Sequence, residues 1–128
     1  MKNKLRKIVI DNKEYLYIVT DQFHFETDTN TLTLKVFLSG QKKTPLIIQF
    51  VTVEYYIIGQ PLKSGIKLKN KITDSEDVIN LNEPKYIRQL ILQGIKNGWS
   101  GTNPIEIQDG LIYLNEMGFE TDELSPGK

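Results

Sequence analysis

Thr31-Leu32-Thr33-Leu34-Lys35-Val36-Phe37-Leu38 puts a branched apolar residue at every second position. Leu32, Leu34, Val36 and Leu38 fall on one face of an extended chain, and Thr33, Lys35 and Phe37 on the other. A repeat of two over eight residues predicts a half-buried strand. The chain on either side reads the same way. Residues 5–10 and 14–20 are rich in β-branched and aromatic side chains, and Asp11-Asn12-Lys13 between them favours a turn. In 14–20, Tyr15, Tyr17 and Val19 share one face and Leu16 and Ile18 the other, so that arm is expected to have neighbours. Residues 22–27 alternate again, followed by a turn at Asp28-Thr29-Asn30. Residues 39–45 read as a turn-rich break and 46–58 as a long β-prone stretch, stopped by Gly59-Gln60-Pro61. Residues 66–69 and 78–81 are shorter strand candidates.

Beyond residue 83 the period changes. Ile87, Leu90, Ile91, Gly94 and Ile95 lie on one stripe of a helix over 84–97. Asn82 or Glu83 suits the N-cap and Pro84 the first turn. Gly98 fits a left-handed helix end, with Trp99 packing back on the last turn. Gly118-Phe119 is a second ending of that kind, after a helix over 111–117 capped by Asp109. The same region, with 105–108, Asp109-Gly110 and 111–114, also reads as a hairpin.

Strands first and a helix afterwards predict an α+β fold. The expected form is an antiparallel sheet of five to seven strands. One main C-terminal helix packs on one face and buries Ile87, Leu90, Ile91 and Ile95, with a second short helix as an option. The 128 residues suit a single domain, 1–128, with 121–128 as a disordered tail.

Composition narrows the chemistry. There is no cysteine, so disulfides and thiolate chemistry are excluded. The basic start is followed only by Ile8, Val9 and Ile10 before Asp11, too short for a signal peptide core. No apolar run reaches the ~20 residues of a membrane span. A cytoplasmic chain is expected. Net charge is zero, yet residues 1–71 hold twelve Lys/Arg against six Asp/Glu, and 72–128 hold four against ten. That is +6 and −6.

The single histidine, His24, lies between two phenylalanines on a strand, and no nucleophile turn accompanies it. Glu26-Thr27-Asp28-Thr29-Asn30 alternates oxygen ligands but lacks the glycine and terminal glutamate of a calcium loop. Asp74-Ser75-Glu76-Asp77 reads as a solvated loop. No phosphate loop is present. No cofactor and no metal site are therefore expected. Lys67, Lys69 and Lys71 would face one way on a strand, as a phosphate-contacting row or an edge guarded by lysine. No arginine or aromatic residue joins them for base reading. Tyr55, Tyr56 and Trp99 are candidate interface anchors, Trp99 also being the expected helix-end core residue.

Two segments carry a resemblance. Lys7-Ile8-Val9-Ile10-Asp11-Asn12-Lys13-Glu14-Tyr15-Leu16-Tyr17-Ile18-Val19 resembles the opening hairpin of a group of small bacterial proteins of unknown function. Residues 86–97 with Gly98-Trp99, then 105–108, resemble their C-terminal part. Tyr17 stands where that group has Trp, and the loop after Gly98-Trp99 is less basic. The resemblance implies a β-rich N-terminal part and a C-terminal helix, and it implies no activity. Small bacterial proteins of this build are often immunity-type or antitoxin binders. The expected function is accordingly a non-enzymatic binding protein, an immunity-type inhibitor or an assembly subunit with a protein partner. The alternatives are a carboxylate-pair enzyme or ligand binder, and a nucleic-acid-associated protein using the lysine row.

Overall fold

Asp11 and Asn12 both take positive φ, 51° and 66°. Two left-handed residues in succession make the tight turn whose twist suits a hairpin. They join β1 (Arg6–Ile10) to β2 (Lys13–His24), with Ile10 opposite Lys13. The structure, a computed structural model, describes residues 5–53 and 60–125. β2 is one strand of twelve residues and runs through Asp21. Its carboxylate is held by Lys63 Nζ at 2.9 Å and Asn30 Nδ2 at 3.2 Å. The next turn, 25–28, ends at Asp28 with φ 53°. Thr29 and Asn30 are thus strand residues, and β3 is Thr29–Leu38.

The break expected at 39–45 shrinks to Ser39-Gly40, with Gly40 at φ 88°. β4 (Gln41–Val53) follows at once. The ladder register shifts between Val36 and Leu38, opposite the stretch that holds Pro45. A bulge is where a residue without an N–H fits inside a sheet.

The strands form two sheets instead of one. β1-β2-β3-β4-β7 is the larger, where β7 is Gln108–Asp109. Three of its pairings are antiparallel, but β7 runs parallel to Ile48 and Gln49. β5 (Ile66–Asn70) and β6 (Ser75–Ile79) form a separate ribbon. Ser75, Glu76 and Asp77, read above as loop, belong to its second strand. Its turn is closed by Asn70, whose Oδ1 accepts from the N–H groups of Ile72 and Thr73 at 2.9 and 3.0 Å.

Among the described residues three helices complete the order: α1 (Pro61–Ser64), α2 (Pro84–Lys96) and α3 (Gly110–Glu116). Gly98 has φ 119°, and the Trp99 N–H returns to the Gly94 carbonyl at 3.0 Å, closing α2. A Cβ at Gly94 would come within 2.5 Å of Leu46, so α2 lies flat on β4 at that point. The buried stripe is therefore Tyr86, Ile87, Leu90, Ile91 and Gly94. Ile95, expected to be buried, is turned about 100° further round the helix and is 37% exposed.

Residues 109–117 form a helix, not a hairpin arm. Asp109 caps α3 by accepting from the Leu111 N–H at 2.9 Å. Gly118 has φ 102°, and the Phe119 N–H returns to Leu114 at 2.9 Å. The tail expected to fray is tied down as far as Ser125. The Val53 N–H donates to the Leu124 carbonyl at 2.9 Å, and the Leu124 side chain is fully buried. One core, from Tyr15 and Leu34 through Leu68 and Ile87 to Tyr113 and Leu124, joins sheet, ribbon and helices.

Candidate binding face

Strand alternation divides the five-stranded sheet into two faces. Tyr15, Tyr17, Leu32, Leu34, Val36, Leu46, Ile48 and Phe50 look inward and are all buried. The register aligns the residues between them in rows on the other face. Leu16 lies opposite Phe37; Ile18, Lys35 and Ile47 form the next row; Thr20, Thr33 and Gln49 the next; Gln22, Thr31 and Val51 the last. Leu16, Ile18, Phe37 and Ile47 are half-buried, yet none belongs to the core, and Val9 on the same face is 56% exposed. Charge is interleaved with this apolar half, Lys35 standing between Ile18 and Ile47. The Lys35 ammonium stands 5.4 Å from the centre of the Phe37 ring, and Lys7 pairs with Glu14 at 3.8 Å.

The half nearer the 25–28 turn is hydroxyl- and amide-lined. His24 Nε2 and Thr31 Oγ1 are 2.7 Å apart, so the histidine's partner is a hydroxyl. A hollow of about 620 Å³, open to solvent, runs past His24, Thr31 and Val51 beneath Phe25, which is 85% exposed. A neighbouring one of about 570 Å³ is lined by Thr20, Gln22, Thr33 and Gln49. Among the described residues, Glu26 is the acid lining the first and Asp21 the acid lining the second. Among the described residues no three His, Cys, Asp or Glu side chains are placed to hold a metal ion.

The residues singled out from the sequence are scattered. Tyr55 and Tyr56 lie outside the described residues. Trp99 is 1% exposed, which makes it core and removes it as a surface anchor. Lys67 and Lys69 are exposed on β5, while Lys71 lies in the ribbon's turn, so the row holds two residues, not three. Lys69 is paired across the ribbon with Glu76. Both lysines line one hollow with Glu76, Glu120, Asp122 and Glu123. The basic and acidic parts of the chain thus meet here, and mixed charge of this kind attracts phosphate weakly. The full chain is expected to leave a heparin column at low salt, with Lys67→Glu/Lys69→Glu moving the elution only slightly. Retention to high salt that the double variant abolishes would reinstate a nucleic-acid surface.

A polar cluster escaped the sequence reading. Asn30, Thr52 and Gln60 are all buried beside Asp21. Gln60 Nε2 donates to Asn30 Oδ1 at 2.9 Å; Gln60 Oε1 accepts from the Leu62 N–H at 3.0 Å and from Thr52 Oγ1 at 3.3 Å. Burial pushes the Asp21 carboxyl up, but hydrogen bonds from Lys63 and Asn30 and the lysine's charge outweigh it, leaving it below the usual aspartate value. Residues 21, 30, 52 and 60 share no motif, so only the fold reveals them. The cluster caps α1 and locks it to the sheet.

The described residues form an α+β fold with a mostly antiparallel five-stranded sheet and a separate two-stranded ribbon. Comparison with protein-family models, curated proteins and solved structures finds no match. No described helix is long and apolar enough to cross a membrane.

Proposed function

We propose that this chain is a non-enzymatic binding protein that engages another protein through the open face of its five-stranded sheet. An immunity-type inhibitor or an assembly subunit of bacterial origin works in this way. The observation that carries the reading is the apolar half of that face: Leu16, Ile18, Phe37 and Ile47, with Lys35 between Ile18 and Ile47 and with exposed Val9 and Lys7 beside them. Apolar side chains gathered on a sheet face outside the core are a feature of protein-binding surfaces. Phe37 is its only aromatic side chain, and aromatic residues dominate the energetics of such patches. Both hollows are open to solvent, which offers less support for carboxylate catalysis than an enclosed pair would.

The test is affinity capture from the native cell with the full chain. Wild type is expected to retain one protein in stoichiometric amount, and Ile18→Glu/Phe37→Ser to lose it. Both positions lie off the core, so the unfolding midpoint should stay within a few degrees. Retention that survives the double variant, or no retained protein at all, would overturn the reading.

A further inference from the structure

One edge of the large sheet is covered. β7 pairs with Ile48 and Gln49, and the Leu124 carbonyl takes the Val53 N–H. The other edge is β1. Ile10 and Lys13 close the two-residue turn and so exchange their ladder bonds with each other. Val9 lies opposite Glu14, and the Glu14 carbonyl points away from β1, accepting from the Ser39 N–H at 3.0 Å. Val9–Glu14 is therefore a pair whose members turn their backbone groups away from each other. Val9, and Lys7 two residues before it, direct an N–H and a C=O each out of the sheet. No backbone hydrogen bond from another described element reaches them. The Val9 side chain is 56% exposed and that of Leu5 48%.

We propose that β1 pairs antiparallel with β1 of a second copy of this chain, about a two-fold axis at Ile8, so that two five-stranded sheets run on as one. The strand is self-complementary in that register. Lys7 of one copy falls opposite Val9 of the other, and both are residues whose backbone groups point outward. Four ladder bonds form, two on each side of the axis, and no outward group of Lys7 or Val9 is left over. Charge selects the same orientation. The strand begins with Arg6 and Lys7. Parallel pairing would stack lysine on lysine, whereas antiparallel pairing sets Lys7 opposite the uncharged Val9. The aliphatic stem of Lys7 then covers Val9, one row from Leu16. The pairing goes beyond the proposed protein-binding role and does not depend on it, though it would join the open faces of the two copies.

Sedimentation of the full chain from about 10 to 300 μM, a range suited to a small edge interface, tests the proposal. The mass is expected to rise from 14.8 kDa toward twice that value. Val9→Pro removes only an outward N–H, so β1 and β2 stay paired while the second copy is refused. That variant is expected to remain monomeric throughout. Val9→Lys, which keeps the backbone intact but sets two lysines face to face, should weaken association at least tenfold. Phe37→Ser, on the open face, should associate like wild type. A wild-type chain that stays monomeric, a folded Val9→Pro protein that still doubles, or association lost only with Phe37→Ser would each overturn the edge pairing.

Discussion

Trp99→Ala is expected to destabilise the fold by about 3–5 kcal/mol, the range for truncating a fully buried large aromatic residue. That is a large part of the total stability of a small domain. Two losses combine. The ring is 1% exposed and lies 5.8 Å from the ring of Tyr15, so its removal opens a cavity between α2 and the sheet. Its Nε1 also donates to the Thr44 carbonyl at 3.0 Å, in the bulged part of β4. That carbonyl would be left without its donor. Trp99→Phe separates the terms by keeping most of the volume and losing the bond. It should cost about 1–3 kcal/mol. Urea unfolding of the two variants gives both numbers. A loss below about 1 kcal/mol for the alanine variant would mean that Trp99 is not the core residue described above.

Gln60→Ala is the second large effect, expected at about 2–4 kcal/mol from two buried groups losing partners at once. The Leu62 N–H loses its acceptor and Asn30 Oδ1 its donor. α1 also loses its only side-chain cap. Amide exchange should show the loss first at Leu62 and Lys63, because α1 is a single turn with little cohesion of its own. Asn30→Ala in the same background tests the coupling. Residues in one hydrogen-bonded network are not additive, so the double variant should lose less than the sum of the single losses. Strict additivity would show that the two side chains do not act as a unit.

Much of this architecture could be read from the chain, and the failures have specific causes. Asp11-Asn12 announced its hairpin because few residues tolerate two left-handed conformations in a row. Gly98 and Gly118 announced the ends of α2 and α3 for a related reason. α1 was missed because four residues carry no period, although Gln60-Pro61 holds a cap and an N-terminal proline. β7 was read inside a segment with a hairpin alternative. Its partner is β4, which no local turn chemistry could reveal. Leu124 is one apolar residue in a polar tail, and only the tertiary fold buries it.

The candidate face was half legible. Alternation in 31–38 separates Phe37 and Lys35 from the leucines, but it cannot say which face the helices cover. Trp99 and the lysine row depend on tertiary context in another way. Trp99 closes a helix end inside the core, in keeping with its place after Gly98, and Lys67 and Lys69 share a hollow with acids that the C-terminal part of the chain brings to them.

The strand order also sets how far apart in the chain each pairing reaches. β1 to β4 follow one another through short turns, so residues 6–53 assemble a sheet from contacts between neighbours. β7 must instead bring Gln108 back to Ile48, 60 positions away. Closing a loop of that size costs about 2 kcal/mol more in chain entropy than closing a four-residue one. Local pairings of this kind are the ones a chain makes fastest. The β1–β4 meander is thus the template, and α3, β7 and Leu124 are the late arrivals that seal its far edge.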